Sequence, residues 1–239
     1  VKRYSLFKTM QYRSDLWVHH QRVVWIVGAL LPAARKSMQI DPEKARALAL
    51  VHDDAEMITG DAQAGHKAQM SKAALAKLAA DESTAIHELA ARMPQQVHGY
   101  DYESLLISML RKDSPEAQLV SYADKIDAYC ETLHEIFGGN LTLMTSFAFY
   151  ARTLGQFAYK YPNLKELIEK SGAPFTGLDI SSPMKKGEQI TSKTYARFFK
   201  PHTPKMLETP IVRFPHYDAW RSMILKKKNP EMNEWLLGR

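Results

Sequence analysis

Apolar residues recur at every third or fourth position through much of the chain up to about residue 170, and this pattern predicts amphipathic helices. The run Asp41-Pro42-Glu43 is typical of a helix start, and the helix that follows is predicted to reach about Ile58 and to end near Gly60. Other helices are predicted at about 15–35, 71–93, 102–111 and 115–137. The pattern therefore predicts a mainly helical protein.

The periodic pattern breaks at Gly138-Gly139-Asn140 and changes beyond that point. A long aromatic-rich helix is predicted at 141–161 and a short one at 164–170. From 172 to 210 no period persists, which indicates an irregular region, and one more amphipathic helix is predicted at about 217–227. We therefore expect an all-α bundle at 1–140 and a mostly irregular and helical C-terminal extension at 141–239, packed on the bundle.

Composition indicates the cellular location of the chain and the kind of partner it binds. It has 239 residues, one cysteine at Cys130, and no apolar run near the roughly 20 residues of a membrane helix. A lone cysteine excludes an internal disulfide, which fits a reducing cytoplasm, and the lack of a long apolar run argues against a membrane helix. We therefore expect a cytoplasmic protein without a membrane partner. Lysine and arginine number 32 against 26 acidic residues, and the net charge of +6 favours anionic partners, including phosphorylated small molecules and nucleic acid.

A histidine and an aspartate stand side by side as His52-Asp53, within the apolar helix predicted at 42–58. Glu56 is four residues after His52, so the two share a helix face, and Asp61 follows Thr59-Gly60. Because a buried charge requires a partner or a metal ion, and imidazole and carboxylate suit a divalent metal, this segment is a candidate site. The alternative is a core histidine with two exposed acids.

Two other predicted helices carry side chains of the same ligand types. His19-His20 lies near the start of the first helix, and periodicity leaves the choice open, because each histidine shares a face with apolar residues. Asp124 flanks an apolar stripe in the helix predicted at 115–137, which places it at the edge of the core. It is either a ligand or a half-exposed acid beside that stripe.

Taken together, His19-x-x-Arg22-Val23, His52-Asp53 and Asp124 resemble the HD-domain metal-dependent phosphohydrolases. The stretch from Val51 to Asp61 is most similar to the bacterial HD-domain 5′-deoxynucleotidases, which have Glu after His-Asp and then Thr-Gly-Asp at the same spacing. The phage dATP triphosphohydrolases are close relatives with the same fold. The resemblance covers about residues 3–137, and it implies an HD-domain helical bundle around one divalent ion: Co, Mn, Zn or Mg.

The resemblance also implies roles for particular residues. It selects His19 over His20, because the family's histidine is followed three residues later by arginine or glutamine and then by an apolar residue. The metal ligands that it implies are His19, His52, Asp53 and Asp124. The catalytic residues that it implies are Glu56 and Asp61, and the substrate-binding residues are Arg3, Tyr4 and Lys67.

Within these roles, Glu56 matches the family's catalytic acid and Asp61 the aspartate that contacts the sugar. Arg3 and Lys67 suit a phosphate, and Tyr4 stands where the family has a tryptophan that packs near the sugar. The chain departs from the family pattern at Tyr4, at Asp54, which replaces a small residue, and around 98–111. These departures bear on substrate detail and leave the metal site intact.

The resemblance implies removal of the 5′-phosphate from a deoxynucleoside monophosphate by a metal-activated water. One alternative is a deoxynucleoside triphosphate triphosphohydrolase, which the lysines at 185–186, 193 and 226–228 would suit. Another is a non-enzymatic nucleotide- or nucleic-acid-binding module, suggested by the basic-aromatic segments 195–200 and 217–221. The complete ligand set argues against that module, so nucleic acid is not the expected partner; a deoxynucleotide is.

Two further questions concern the number of metals and of subunits. Some HD hydrolases hold a second metal through histidines between the His-Asp pair and the last aspartate, where this chain has His66, His87 and His98. A second metal is the less favoured alternative. The resemblance also suggests a homo-oligomer.

Overall fold

In the computed structural model, residues 1–4, 7, 10, 14–61, 67, 70–137 and 140–170 are described. They form α-helices joined by short turns, with two 3₁₀ turns at Leu141–Leu143 and Pro162–Leu164 and one two-stranded sheet, so the all-α class is confirmed. The helices are α1 (Leu16–Ser37), α2 (Pro42–Val51), α3 (Glu56–Thr59), α4 (Lys72–Ala90), α5 (Tyr102–Arg111), α6 (Pro115–Phe137), α7 (Met144–Lys160) and α8 (Lys165–Lys170).

Side-chain caps explain where most of these helices begin. Asp15 accepts a hydrogen bond from Val18 N at the start of α1, and Asp41 accepts from Glu43 N and Lys44 N at the start of α2. Ser71 caps α4 in the same way. Each cap satisfies backbone N–H groups that a helix start leaves unpaired. The predicted helix starts at these positions are confirmed.

The second helix ends earlier than predicted. The prediction of one helix from 42 to about 58 is wrong, because α2 ends at Val51 and a tight turn separates it from α3. In this turn the hydrogen bonds join residues three apart, such as Asp54 N to Val51 O and Glu56 N to Asp53 O. In such three-residue winding, positions i and i+3 lie on one face. Glu56 therefore shares a face with Asp53 and not, as predicted, with His52.

The core is built around α6, which is buried along most of its length. Helices α1 and α2 pack against each other and against α6, α7 packs along α6, and α4 packs against α5. The helices after residue 140 belong to the same hydrophobic core, with Phe147, Leu154 and Leu164 almost completely buried. Among the described residues, no helix combines the length and apolar character that crossing a membrane requires.

A small hairpin connects α4 to α5. Its strands, Gln96–Val97 and Tyr100–Asp101, pair in antiparallel fashion around His98 and Gly99, both of which have positive φ. Two such residues are what a tight hairpin turn requires. The predicted irregular region at 172–210, the helix at 217–227, and the lysines and basic-aromatic segments discussed above lie outside the described residues.

Candidate active site

Two helices and the turn after α2 bring four ligand atoms together. One atom each from His19, His52, Asp53 and Asp124 lies within 4.8 Å of all the others. His19 Nε2 is 3.1 Å from His52 Nε2 and 3.4 Å from an oxygen of each aspartate. Four ligands bound at about 2.1 Å to one ion lie roughly 3.0–3.4 Å apart, so these spacings fit the edges of a coordination shell.

The hydrogen bonds of the two imidazoles leave their Nε2 atoms facing each other. His52 Nδ1 donates to the carbonyl oxygen of Ala49 at 2.8 Å, and His19 Nδ1 donates to Asp127 Oδ2 at 2.6 Å. In the neutral imidazoles both Nε2 atoms therefore carry a lone pair, at a separation of 3.1 Å. Two facing lone pairs repel each other, and a proton or a metal ion between them removes the repulsion.

The carboxylates around His19 create a strong preference for a cation. Burial and the charge of Arg3 lower the pKa of His19, but hydrogen bonds to Asp124, Asp127 and Asp53 outweigh them and raise it to about 10. Without a metal, His19 therefore holds an extra proton at neutral pH. A divalent ion competes for the same place. The donor set fits a metal ion by atom type, by spacing and by charge.

Behind His19 lies a buried ion-pair group, formed by Arg3, Arg22, Asp127 and Glu131. Arg22 donates to the two oxygens of Asp127 at 2.6 and 2.8 Å and to Glu131 at 2.7 Å. Asp127 and Glu131 are completely buried. A carboxylate that binds the remote nitrogen of a metal-ligating histidine fixes the orientation of its ring, which is the position that Asp127 holds.

Arg3 connects the buried ion-pair group to the ligands. Its Nη1 is 3.3 Å from Asp127 Oδ2, and its Nη2 is 3.9 Å from Asp124 Oδ1. Nη1 is also 2.9 Å from His19 Nδ1, but both of these nitrogens are donors, so the hydrogen bonds of the arginine go to the carboxylates. The guanidinium is thus held at the edge of the site with its charge directed to the ligand shell.

Tyr4 is fixed in a conformation that is unusual for a residue with a side chain. Its φ is +56°, in the left-handed region, and its backbone N–H donates to Asp61 Oδ2 at 3.0 Å. Its hydroxyl donates to the carbonyl oxygen of Ala128 at 3.1 Å. Such a conformation persists when its surroundings hold it. Asp61 therefore positions the N-terminal segment, a contact that the sequence did not predict.

Glu56 is an acid that keeps its proton at neutral pH in the metal-free protein. Burial raises the pKa of Glu56 to about 9, and the charges of Asp53 and Asp61 contribute to the rise. Its Oε2 is buried and has no hydrogen-bond partner among the described residues. The pKa of Asp61 is also raised, chiefly by burial. A buried carboxyl group with a raised pKa close to the candidate metal ligands is suited to proton transfer.

A cavity of about 310 Å³ opens beside the four ligand atoms. Lys67 reaches this cavity and forms an ion pair with Glu82 at 2.8 Å. His19 is completely buried and does not line the cavity. The predicted site residues that line the cavity are Arg3, Tyr4, His52, Asp53, Glu56, Asp61, Lys67 and Asp124. The structure thus gathers the predicted site residues around one cavity.

Several cavity residues were not predicted from the sequence. Lys125 contacts the carboxylate of Asp124, and Lys112 reaches the cavity from the end of α5. Tyr150 and Phe157 also line the cavity. They belong to α7, which lies beyond the segment covered by the resemblance. Their spacing of seven residues was an available signal, because such residues lie on one face of a helix.

Among the described residues, His20, His87 and His98 do not belong to the group of four ligand atoms. His20 Nδ1 is 3.7 Å from Asp54, its Nε2 has no partner among the described residues, and its ring lies 4.9 Å from that of His52. His87 is exposed and pairs with Glu103, and His98 is in the hairpin turn. His66 lies outside the described residues. Neither His87 nor His98 joins the ligand group, so they give no support to a second metal.

A helical bundle that gathers two histidines and two aspartates beside a cavity is the arrangement of HD-domain proteins. Within that class, residues 1–168 match the model of the YfbR-like 5′-deoxynucleotidases, and the chain belongs to this family. The match extends beyond residue 140, the boundary expected from the sequence, and includes α7.

Individual relatives are similar at modest identity. A protein of Erwinia tasmaniensis named 5′-deoxynucleotidase is 29% identical over 65% of this chain and 78% of its own. A protein of Vibrio parahaemolyticus with the same name is 27% identical over 59% of this chain and 71% of its own. A solved structure of a conserved hypothetical protein from Pyrococcus furiosus, 25% identical, covers 67% of this chain and 84% of its own with a TM-score of 0.49.

The ligand geometry predicts that a divalent ion stabilises the fold and displaces a proton. Addition of Co²⁺ or Mn²⁺ is expected to raise the melting temperature. The affinity is expected to rise with pH throughout the range from about 6 to about 8, which lies below the pKa of about 10 of His19, because the ion competes with the proton on His19. Calorimetry in buffers with different ionisation heats measures the released proton. Asp53→Ala is expected to abolish the thermal shift.

The control for this prediction is Asp81→Ala, which removes an exposed carboxylate that pairs with Lys77 on α4. This variant is expected to keep the full thermal shift. An Asp53→Ala protein that is stabilised by the ion as much as the wild type would contradict the assignment of the site.

The buried ion-pair group predicts a large difference between two arginines. Arg22→Met leaves Asp127 and Glu131 buried without their main partner, and the free energy of unfolding is expected to fall by about 3–5 kcal/mol. Arg46→Met removes a partly exposed ion pair with Glu43, and it is expected to cost about 0.5 kcal/mol or less. Urea unfolding measures the free energy of unfolding of both variants. Equal decreases in the two variants would contradict a special contribution of the buried ion-pair group to stability.

Proposed function

We propose that this chain is a metal-dependent 5′-deoxynucleotidase, which hydrolyses the 5′-phosphate of a deoxynucleoside monophosphate. The observation that carries the proposal is that four ligand atoms, an acid with a raised pKa and several cations meet at one cavity. The family match and the relatives named 5′-deoxynucleotidase support the same reaction.

In this proposal His19, His52, Asp53 and Asp124 hold the ion. A bound divalent ion supplies activation of water and relief of charge on the phosphate. Two neutral imidazoles and two carboxylates cancel the charge of such an ion. Further positive charge for the dianionic phosphate therefore has to come from side chains, and Arg3 lies closest to the ligands among the predicted phosphate-binding residues.

Glu56 provides the proton in this proposal. Hydrolysis breaks the bond between phosphorus and the 5′-oxygen, and the leaving oxygen requires a proton. Glu56 gives that proton to the 5′-oxygen and is reprotonated by the proton that the attacking water loses, so the reaction is balanced. The pKa of Glu56 is about 9 in the absence of an ion, and the positive charge of an ion held by the four ligands would lower it, so that the carboxyl group could both give and take a proton.

Tyr4 and Asp61 form the part of the cavity assigned to the sugar. Tyr4 is at the wall of the cavity and is fixed by two hydrogen bonds, and we assign it to the sugar side of the cavity. Asp61 sets the position of Tyr4 and adds an acceptor for a sugar hydroxyl. We place Lys67 as a second cation for the phosphate, which it can contact on leaving Glu82.

Three further expectations are part of the proposal. The mixed nitrogen and oxygen donors suit Co, Mn, Zn or Mg, and the activity with each ion identifies the one in use. A homo-oligomer remains the expected assembly, which light scattering measures. A cytoplasmic location remains the expected setting.

A panel of nucleotides tests the proposed reaction. With Co²⁺ or Mn²⁺, deoxynucleoside monophosphates are expected to release orthophosphate, and Glu56→Gln is expected to lower kcat by about 100-fold or more, since it removes the proton donor. The Gln variant is expected to keep the thermal shift with the metal. Phosphate release and melting temperature are measured on the same samples.

Glu88→Gln, at an exposed ion pair with Arg92, is the matched control and is expected to keep full activity. Release of tripolyphosphate from triphosphates, with no reaction of monophosphates, would contradict the proposed reaction and favour a triphosphohydrolase. A fully active Glu56→Gln protein would contradict the role of Glu56.

A further inference from the structure

The cavity contains a second set of charges in addition to the residues assigned above. Lys112, Lys125 and Lys160 line it and come from three separate helices. Lys112 follows the last residue of α5, Lys125 is in the middle of α6, and Lys160 is the last residue of α7. We refer to these three residues as the lysine group.

Lys125 connects the lysine group to the metal ligands. Its ammonium contacts Oδ2 of Asp124, while Oδ1 of the same carboxylate faces His19 Nε2 at 3.4 Å. An anion that extends from the metal position past Asp124 therefore meets the lysine group next. Charge-assisted contacts of this kind are the strongest that a phosphate makes with side chains.

Lys112 and Lys160 have no carboxylate partner among the described residues. Lys112 Nζ donates to the carbonyl oxygen of Met109 at 3.3 Å, and Lys160 Nζ lies 5.1 Å from the ring centre of Tyr161. A carbonyl or a ring face does not cancel an ammonium charge. Burial lowers the pKa of Lys112, and the charges of Lys125, Lys160 and Lys67 lower it further, although Asp124 raises it. Lys112 thus lies close enough to Lys125 and Lys160 for their charges to act on it.

The backbone holds Lys112 in place despite this repulsion. Its φ is +54°, its N–H donates to the carbonyl oxygen of Ser108 at 2.7 Å, and its own carbonyl accepts from Gln118 at 3.2 Å. The turn therefore fixes the backbone of Lys112 at the cavity, beside other positive charges. A bound anion would remove the repulsion, and so the arrangement favours an anion.

We propose that the lysine group is a second anion subsite, which holds a further phosphate group of a nucleotide whose first phosphate lies beside the metal ligands. This rests on the proposed function, from which the first phosphate position is taken. A 5′-diphosphate or 5′-triphosphate offers the further phosphate within its chain, and a 3′,5′-bisphosphate offers it across the sugar. Such nucleotides therefore bind this cavity more tightly than the monophosphate does.

Calorimetry with a deoxynucleoside 5′-monophosphate, its 5′-diphosphate and its 3′,5′-bisphosphate tests the subsite. The Glu56→Gln background prevents hydrolysis during the measurement, and the free metal concentration is held constant because diphosphates chelate metals. One of the two doubly phosphorylated ligands is expected to bind about tenfold more tightly than the monophosphate, as a charge-assisted contact provides. The ligand that gains identifies the source of the further phosphate.

Two added variants link this gain to the lysine group. Lys160→Met and Lys112→Met are each expected to reduce the advantage of the doubly phosphorylated ligand about threefold to tenfold. Lys160 is exposed, so its replacement does not endanger the fold. Lys165→Met, at an exposed pair with Glu169 on α8, is the matched control and is expected to keep the advantage.

Equal affinities for all three ligands would overturn the subsite, as would an advantage that survives in both variants. A separate assay tests the proposed function itself. If the metal-loaded wild-type protein released no phosphate from monophosphates, the proposed function would be wrong, whatever the outcome for the subsite.

Discussion

The carboxylate of Asp127 is the contact on which the rest of the site depends. It is completely buried, it accepts hydrogen bonds from Arg22 through both oxygens, and it orients the ring of His19. Through it, α1 and α6 are joined by charge inside a hydrophobic core. Burying these charges offers little net stability, but their geometry fixes one arrangement of the two helices, and this arrangement brings His19 and Asp124 to the same point.

The features that the sequence predicted depend on local signals. Caps at Asp15, Asp41 and Ser71 mark helix starts because each side chain bonds to backbone groups of its own turn. The four ligands could be named because a short motif identifies the family. Periodicity alone left His19 and His20 equivalent, and the structure separates them: His19 joins the ligand group, whereas His20 faces Asp54.

The features that the sequence did not predict depend on partners far along the chain. The break after α2 accompanies the bond from His52 Nδ1 to the carbonyl oxygen of Ala49, which a hydrophobic pattern does not encode. In the sequence Asp127 resembles an acid beside an apolar stripe, since its partner Arg22 is 105 residues away. The lysine group comes from three helices, and its members meet only when α5, α6 and α7 are packed.

Anomalous scattering from a crystal grown with Mn²⁺ tests most directly whether the four side chains hold one metal ion. One strong anomalous peak is expected at about 2.0–2.3 Å from His19 Nε2, His52 Nε2 and an oxygen of each of Asp53 and Asp124. A peak next to other residues would contradict the assignment of the four ligands, provided that protein from the same crystals, once dissolved, hydrolyses deoxynucleotides with Mn²⁺.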